Sequence, residues 1–301
     1  PIAVTALLPI VLFPLTGVFT VDEATAPYAN KIIFLFMGGF LLGLAMERHN
    51  LHKRIALNLI KMTGTNPNGI VLGFMITTAF ISMWISNTAT TVMMLPIAIS
   101  ITNLLGIDGG SGKGQKKFAL SLMLGIAYAA NIGGTATIIG TPPNVAWVGF
   151  MSDMLDVEVT FAKYLSVGLP ISLIMLTITY LLITRVLYPS KIANLSESAQ
   201  VIEDQRLALG KISKAEKRVA VIFVSTAIAW ILRGSSNNWL DTTLLNDSII
   251  AMTGGILMFI TPLDIKKSKF LMEWEYTSKL PWGILLLFGG GLTLAKAMEK
   301  S

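Results

Sequence analysis

Apolar runs long enough to cross a lipid bilayer follow one another along this chain, near 2–20, 31–47, 118–151, 163–187, 218–233, 246–262 and 281–298. The hydrocarbon core of a bilayer is about 30 Å thick, and a helix needs about 20 apolar residues to span it. Composition agrees: 53% of the residues are hydrophobic and 13% are charged, where a soluble domain carries about a quarter charged residues. The chain therefore reads as an all-α polytopic membrane protein. No basic segment precedes the first run, "PIAVTALLPIVLFPLTGVF", so a signal peptide is not expected. The absence of Cys excludes disulfides, Cys-ligated metal and thiol chemistry.

The net charge of +6 reports topology rather than an acidic partner. Loops 48–69, 103–117, 188–218 and 263–280 hold most of the 23 Lys and Arg residues, whereas the loops between them, "VDEATAPY" and "MSDMLDVEV", are acidic. Basic loops stay on the cytoplasmic side, and nucleic acid is set aside as a partner. An apolar pair, 68–85 and 89–105, is separated by Ser86, Asn87 and Thr88 and has basic residues on both flanks. A segment that leaves the cytoplasmic side and returns to it is a re-entrant hairpin. Non-helical backbone at its tip survives in the membrane only if it is buried in protein or lines a cavity. Ser86 and Asn87 also suit the plainer role of capping the second half-helix.

A second polar interruption lies in "AANIGGTATIIGTPPNVAWVGF", residues 129–150. Gly133–Gly134 frees the backbone and Pro142–Pro143 cannot continue a helical ladder. Asn131, Thr135, Thr137, Thr141 and Asn144 supply neutral polar groups around them. A Pro-kinked helix packed through small residues would explain one such feature; the whole cluster predicts a discontinuous helix. The chain also repeats itself. "FMGGFLLGLAME" (36–47) aligns without gaps to "FGGGLTLAKAME" (288–299), with Phe36, Gly38, Gly39, Leu42, Ala45, Met46 and Glu47 matched. The charge-derived topology runs the two copies in opposite directions, as in the inverted repeats of secondary transporters. The second copy reaches Ser301 before an equivalent polar tip, so half of a two-fold site is expected to lie outside this sequence.

Function follows from which groups reach the membrane interior. Every acid and base falls in a loop or at a helix end, so a buried proton relay is not supported. His49 and His52 sit in the basic loop and are expected to be solvated. No Ser–His–Asp set or metal-ligand spacing occurs, so the chain is not read as an enzyme. "GGSGKGQKK" lacks the spacing of a phosphate loop and reads as a flexible basic linker. Neutral oxygens and helix termini remain. Ser, Thr and Asn oxygens with freed carbonyls suit a hard cation such as Na+. The half-helix starting near Thr88 turns its positive end toward an anion. One locus can hold both.

Ser-Asn-Thr at a hairpin tip, followed by a broken helix carrying "GGTATIIGTPPN", resembles the divalent anion/sodium symporter family, and looks closest to its bacterial dicarboxylate members. The resemblance covers the whole chain. It implies a homodimer in the bacterial inner (plasma) membrane, each protomer having a scaffold and a transport domain that moves like an elevator. It implies sodium-coupled uptake of a C4-dicarboxylate such as succinate, or of citrate. By position, Ser82, Ser86 and Asn87 with the carbonyl of Gly134 would hold sodium, and Asn87, Thr88 and Thr135 would touch a substrate carboxylate. A second sodium and a second carboxylate contact would lie in the other repeat. Membrane lipid is the remaining partner.

On this reading 1–67 are scaffold helices ending in an interfacial helix. Residues 68–187 belong to the transport domain: hairpin 68–105, broken helix 118–151 and helix 163–187. Residues 188–217 are a cytoplasmic linker with a surface helix, or the arm joining the two domains. Residues 218–301 return to the scaffold and start the second repeat. The alternative is a related ion transporter working as a proton antiporter or on an inorganic oxyanion, sulfate or a metalloid. A channel would pass ions far faster, and an intramembrane enzyme would need a base beside Ser82 or Ser86.

Overall fold

The computed structural model describes residues 1–64, 66–104, 112–190, 196–239 and 245–300. In chain order the helices are α1 (Ile2–Thr5), α2 (Leu8–Leu15), α3 (Val21–Thr25), α4 (Lys31–Arg48), α5 (Leu51–Met62), α6 (Pro67–Ser82) and α7 (Asn87–Leu104). They continue as α8 (Lys113–Gly134), α9 (Pro142–Leu155), α10 (Phe161–Leu181), α11 (Ser196–Ala208), α12 (Lys214–Trp239), α13 (Asp247–Ile260) and α14 (Trp282–Lys300). Among the described residues the one sheet is a two-stranded antiparallel ribbon, Pro262–Asp264 with Lys269–Phe270. The protein is thus all-α, as its apolar runs require. Val21–Arg48, Lys113–Gly134 and Phe161–Leu187 are long and apolar enough to cross a membrane. On α10, Val167, Ile171, Ile174 and Ile178 are each more than half exposed and recur every three or four residues, the pattern of one helical face. Such a stripe is costly in water and ordinary in lipid.

The chain forms two compact units. The first comprises Pro1–Ala45, Pro142–Lys163 and Arg218–Ser301. Its helices approach through glycines of the repeated segments. A Cβ on Gly38 would lie 2.5 Å from the Ala251 carbonyl carbon, and one on Gly290 would lie 2.3 Å from the Ala6 oxygen. Phe36 and Phe288, the matched aromatic residues, meet edge to face at 5.7 Å. The expected crossing over 2–20 is a shorter apolar helical stretch, Ile2–Leu15, broken by a turn into α1 and α2. The ring of Pro9 would clash with the Thr5 carbonyl one turn earlier, which stops α1 there. The Asn246 side chain caps α13 by accepting from Ile249 N–H at 2.9 Å. Asp247 accepts from the Phe161 N–H at 2.7 Å and pairs with Arg233, which also holds Glu158.

The second unit comprises Met46–Thr141 and Tyr164–Lys217. Helices α6 and α7 both pack along α8; α5 lies on α6, and α11 lies on α5 and α7. Phe74, Phe118, Met75, Ile81, Met94 and Ile126 are buried among them. The 51–62 segment is helical with Leu51, Ala56, Leu57 and Ile60 inward. His52 corrects an expectation: it is only 4% exposed, not solvated. Its Nδ1 donates to the Met46 carbonyl at 2.9 Å, and burial holds the imidazole below its usual pKa despite that bond. The basic stretch before α8 also differs from a linker, because Lys113, Lys116 and Lys117 already lie in the helix. Residues 109–111 of that stretch, and 191–195 of the 189–217 segment, lie outside the described residues.

The rest of the 189–217 segment is fastened rather than loose. Arg54 on α5 donates to Glu216 at 2.6 Å and to the carbonyls of Leu209 and Gly210. Gly210 adopts φ +62° at the end of α11, a conformation glycine tolerates without strain. Glu216 and Ser213 cap α12 reciprocally. Burial pushes the Glu216 carboxyl up, but hydrogen bonds from Arg54 and Ser213 outweigh it and hold it below the usual carboxylate range. Outside it, Lys61 and Arg206 converge on Glu203; hydrogen bonds from Arg206 and then Lys61 lower that carboxyl to about 2.

Candidate functional site

Both polar interruptions break their helices, and within the second unit they meet. Helix α6 ends at Ser82, α7 begins at Asn87, and Met83–Ser86 between them are not helical. Helix α8 ends at Gly134. After it come Thr135–Thr137, a 3-10 turn over Ile138–Gly140, and Thr141. Pro142 and Pro143 open α9: their rings forbid a helix running in from 138–139 but fit the first turn of a new one. The carbonyl of Met83, released where α6 ends, accepts from the buried Thr137 hydroxyl at 2.6 Å. One interruption thus satisfies the backbone of the other.

Gly133 and Gly134 were expected to loosen this backbone. They are instead buried members of the last turn of α8, needed because neighbours come close. A Cβ on Gly133 would lie 2.1 Å from the Ala79 carbonyl oxygen, and one on Gly134 would lie 2.3 Å from Asn87 Oδ1. The first contact seats α6 on α8. The second lays the Asn87 side chain across the end of α8.

Around Asn87 the oxygens outnumber the protons. Ser82 Oγ is buried and lies 2.7 Å from Asn87 Oδ1 and 2.7 Å from the Ala130 carbonyl oxygen. A hydroxyl carries one proton, so it can donate to only one of them at a time. A hard cation is the species that such a cluster of uncharged oxygens suits. Asn87 Nδ2 points the other way and donates to Asn131 Oδ1 at 3.2 Å. Ser86 Oγ accepts from the Ala89 N–H at 3.2 Å, which is the capping role open to it from the start. Thr88 is exposed at the start of α7. Thr135, also exposed, donates to the Ile132 carbonyl at 2.7 Å and lies 3.1 Å from Ser172 Oγ on α10.

Of the predicted residues, then, Asn87 reaches both Ser82 and Gly134. Ser86 is at the turn of α7, and Thr135 is tied to Ser172. Three participants were missed. Asn131 was visible as a polar residue of the second interruption. The Ala130 carbonyl has no signature in a sequence. Ser172 lies on a helix that reads as plain membrane span.

Three helix ends converge here. The carboxyl ends of α6 and α8 bring partial negative charge and the amino end of α7 partial positive charge, each about half an elementary charge. Partial charges of both signs thus lie side by side without any ionised side chain. Among the described residues no group of three or more His, Asp or Glu side chains could hold a metal ion. A separate cavity of about 620 Å3 in the same unit is lined by His52, Lys53, Ile85, Thr90 and Met93, among others, and by none of Ser82, Asn87, Gly134 or Thr135.

Known proteins resemble this sequence. The chain matches the family described as the sodium:sulfate symporter transmembrane region over residues 1–301. It is 41% identical over 306 residues to the sodium-dependent dicarboxylate transporter SdcS of Staphylococcus aureus strain USA300, a comparison covering 100% of this chain and 59% of that protein. The SdcS proteins of strains NCTC 8325 and MRSA252 match to the same extent. The chain thus spans about three-fifths of the length of the relatives it matches.

Proposed function

Because the chain belongs to the sodium:sulfate symporter family, we propose that it serves sodium-coupled uptake of a divalent anion, a C4-dicarboxylate such as succinate or the related citrate. In this reading Na+ sits among Ser82 Oγ, Asn87 Oδ1, the Ala130 carbonyl oxygen and the Gly134 carbonyl, with Ser86 at the margin. A substrate carboxylate is bound beside it by the Asn87 amide, the Thr88 hydroxyl and the first N–H groups of α7, with Thr135 at the rim. The bound cation offsets the charge of the anion, so each raises the other's affinity. By linkage that coupling is reciprocal.

One observation carries the reading. Ser82 Oγ has two acceptor oxygens at 2.7 Å and one proton to offer, against the end of a broken helix. The relatives named sodium-dependent dicarboxylate transporters support both the cation and the substrate class. They are transporters by name, not enzymes. The α6–α7 pair is then a re-entrant hairpin, and the packing of Gly38 and Gly290 at matched positions supports the inverted repeat. An elevator motion, a homodimer surrounded by lipid and the inner membrane of a bacterium complete the proposal. The second unit, which holds the hairpin, α8 and α10, is then the mobile part and the first unit the scaffold, so that 142–163 of the expected mobile segment 68–187 goes with the scaffold and 46–67 and 188–217 go with the mobile part.

The family's description favours a second substrate, sulfate. Sulfate is compact and tetrahedral, whereas succinate presents two separated planar carboxylates. Radiolabelled succinate uptake into proteoliposomes, with and without sodium and with unlabelled citrate or sulfate competing, separates the two. Sodium-dependent uptake blocked by succinate and not by sulfate is the expected result. Uptake driven by a proton gradient without sodium would refute the proposal.

A further inference from the structure

We infer that Asn131 is a positioning residue for the cation end of this site: it decides which end of the Asn87 amide faces Ser82. The inference rests on the sodium site proposed above. An asparagine amide presents an acceptor on one side and a donor on the other, and a rotation of 180° exchanges them at almost no cost in shape. Only with Oδ1 toward Ser82 does Asn87 add an oxygen to the cluster; the reverse orientation would aim an N–H at the cation.

The orientation is set through a relay of three groups. The carbonyl oxygen of Ala127 can only accept, and Asn131 Nδ2 donates to it at 2.9 Å. That bond turns Asn131 Oδ1 outward, where it accepts from Asn87 Nδ2 at 3.2 Å. Reversing Asn87 would set its Oδ1 against Asn131 Oδ1, two oxygens with no proton between them. Asn87 Oδ1 is thereby left facing Ser82 Oγ at 2.7 Å and the end of α8 at Gly134. Helix α8 thus contributes to the cation seat twice, by the Ala130 carbonyl directly and by the next residue, Asn131, through Asn87.

Asn131 is itself exposed, so replacing it creates no buried cavity. Two variants of nearly equal shape separate positioning from packing. Asn131→Leu removes the acceptor, and Asn131→Asp keeps it and adds a negative charge near the cation. With the full chain in proteoliposomes, sodium half-saturation for succinate uptake should rise about tenfold in Asn131→Leu, the worth of one oriented hydrogen bond. In Asn131→Asp it should stay at or below the wild-type value, while the succinate KM at saturating sodium rises about tenfold because like charges repel. Opposite movement of the two constants is an outcome that a loss of packing does not produce. Unchanged sodium half-saturation in Asn131→Leu, or equal weakening of sodium in both variants, would overturn the inference. Wild-type uptake that ignores sodium would instead defeat the underlying function, which keeps the two failures distinct.

Discussion

Gly134 and its neighbour Gly133 allow the proposed cation seat at the α8 terminus to be separated from its packing role with a single methyl group. In Gly134→Ala the new Cβ would lie 2.3 Å from Asn87 Oδ1 and 3.0 Å from Asn87 Cγ, well inside contact distance. Asn87 has to move, because the methyl is fixed to a helix. Moving it costs its 2.7 Å contact with Ser82 and its 3.2 Å bond to Asn131. Those two bonds are worth about 0.5–1.5 kcal/mol each to the fold. The effect on the proposed cation comes from displacing Asn87 Oδ1 itself, one charge-assisted contact of about 1.5–3 kcal/mol, so sodium half-saturation should rise roughly 10- to 150-fold. In Gly133→Ala the methyl meets backbone instead, 2.1 Å from the Ala79 oxygen and 2.4 Å from its Cα, and no side chain can swing away. Overpacking of this kind costs about 1–3 kcal/mol or more of fold stability. Sodium-dependent uptake in proteoliposomes and thermal unfolding in detergent read the two quantities. Gly134→Ala should lose sodium affinity together with a modest part of its stability, and Gly133→Ala should lose stability with little change in sodium half-saturation. Sodium half-saturation within twofold of wild type in Gly134→Ala would refute the placement of the cation beside Asn87.

Asn87→Ala removes the one side chain shared by both proposed ligands and should abolish sodium-dependent succinate uptake while the protein stays monodisperse in detergent; normal uptake would count against the site. Thr137→Val leaves the Met83 carbonyl without its 2.6 Å donor in a buried position, and should lower stability by about 1–3 kcal/mol, measured by denaturation; an unchanged transition would mean that another donor replaces it. Arg54→Ala strands Glu216, whose side chain is 6% exposed, and should cost roughly 3 kcal/mol, the lower end for a broken buried pair, seen as an earlier melting transition. The folded-state pKa of Glu216 lies below its ordinary 4.5. Its contribution is therefore complete above about pH 4.5 and is lost as the pH falls through the lower folded value. Wild-type stability should drop over that acid window, and the gap to Arg54→Ala should narrow with it; a gap independent of pH would contradict the pairing.

The sequence alone determined the solvent, the helices and the two interruptions. Apolar length decides that a segment can cross a bilayer, and Pro142–Pro143 or Ser86–Asn87 mark ends by chemistry that acts within one turn of chain. Signals of that range survive in a linear string. The glycines show the boundary of such local knowledge: a missing Cβ suits both a loosened backbone and a tight contact, and only the position of Ala79 and Asn87 reveals that Gly133 and Gly134 serve the second. His52 is similar, since a polar residue in a basic loop looks solvated until the helices close over it. What tertiary structure decided is the oxygen cluster proposed as the cation seat. Ser82 meets the Ala130 carbonyl across 48 positions of chain, and a carbonyl is present at every residue, so no side chain announces which one is used. The orientation of Asn87 depends likewise on Asn131 and the carbonyl of Ala127, groups brought within reach only when α7 packs on α8.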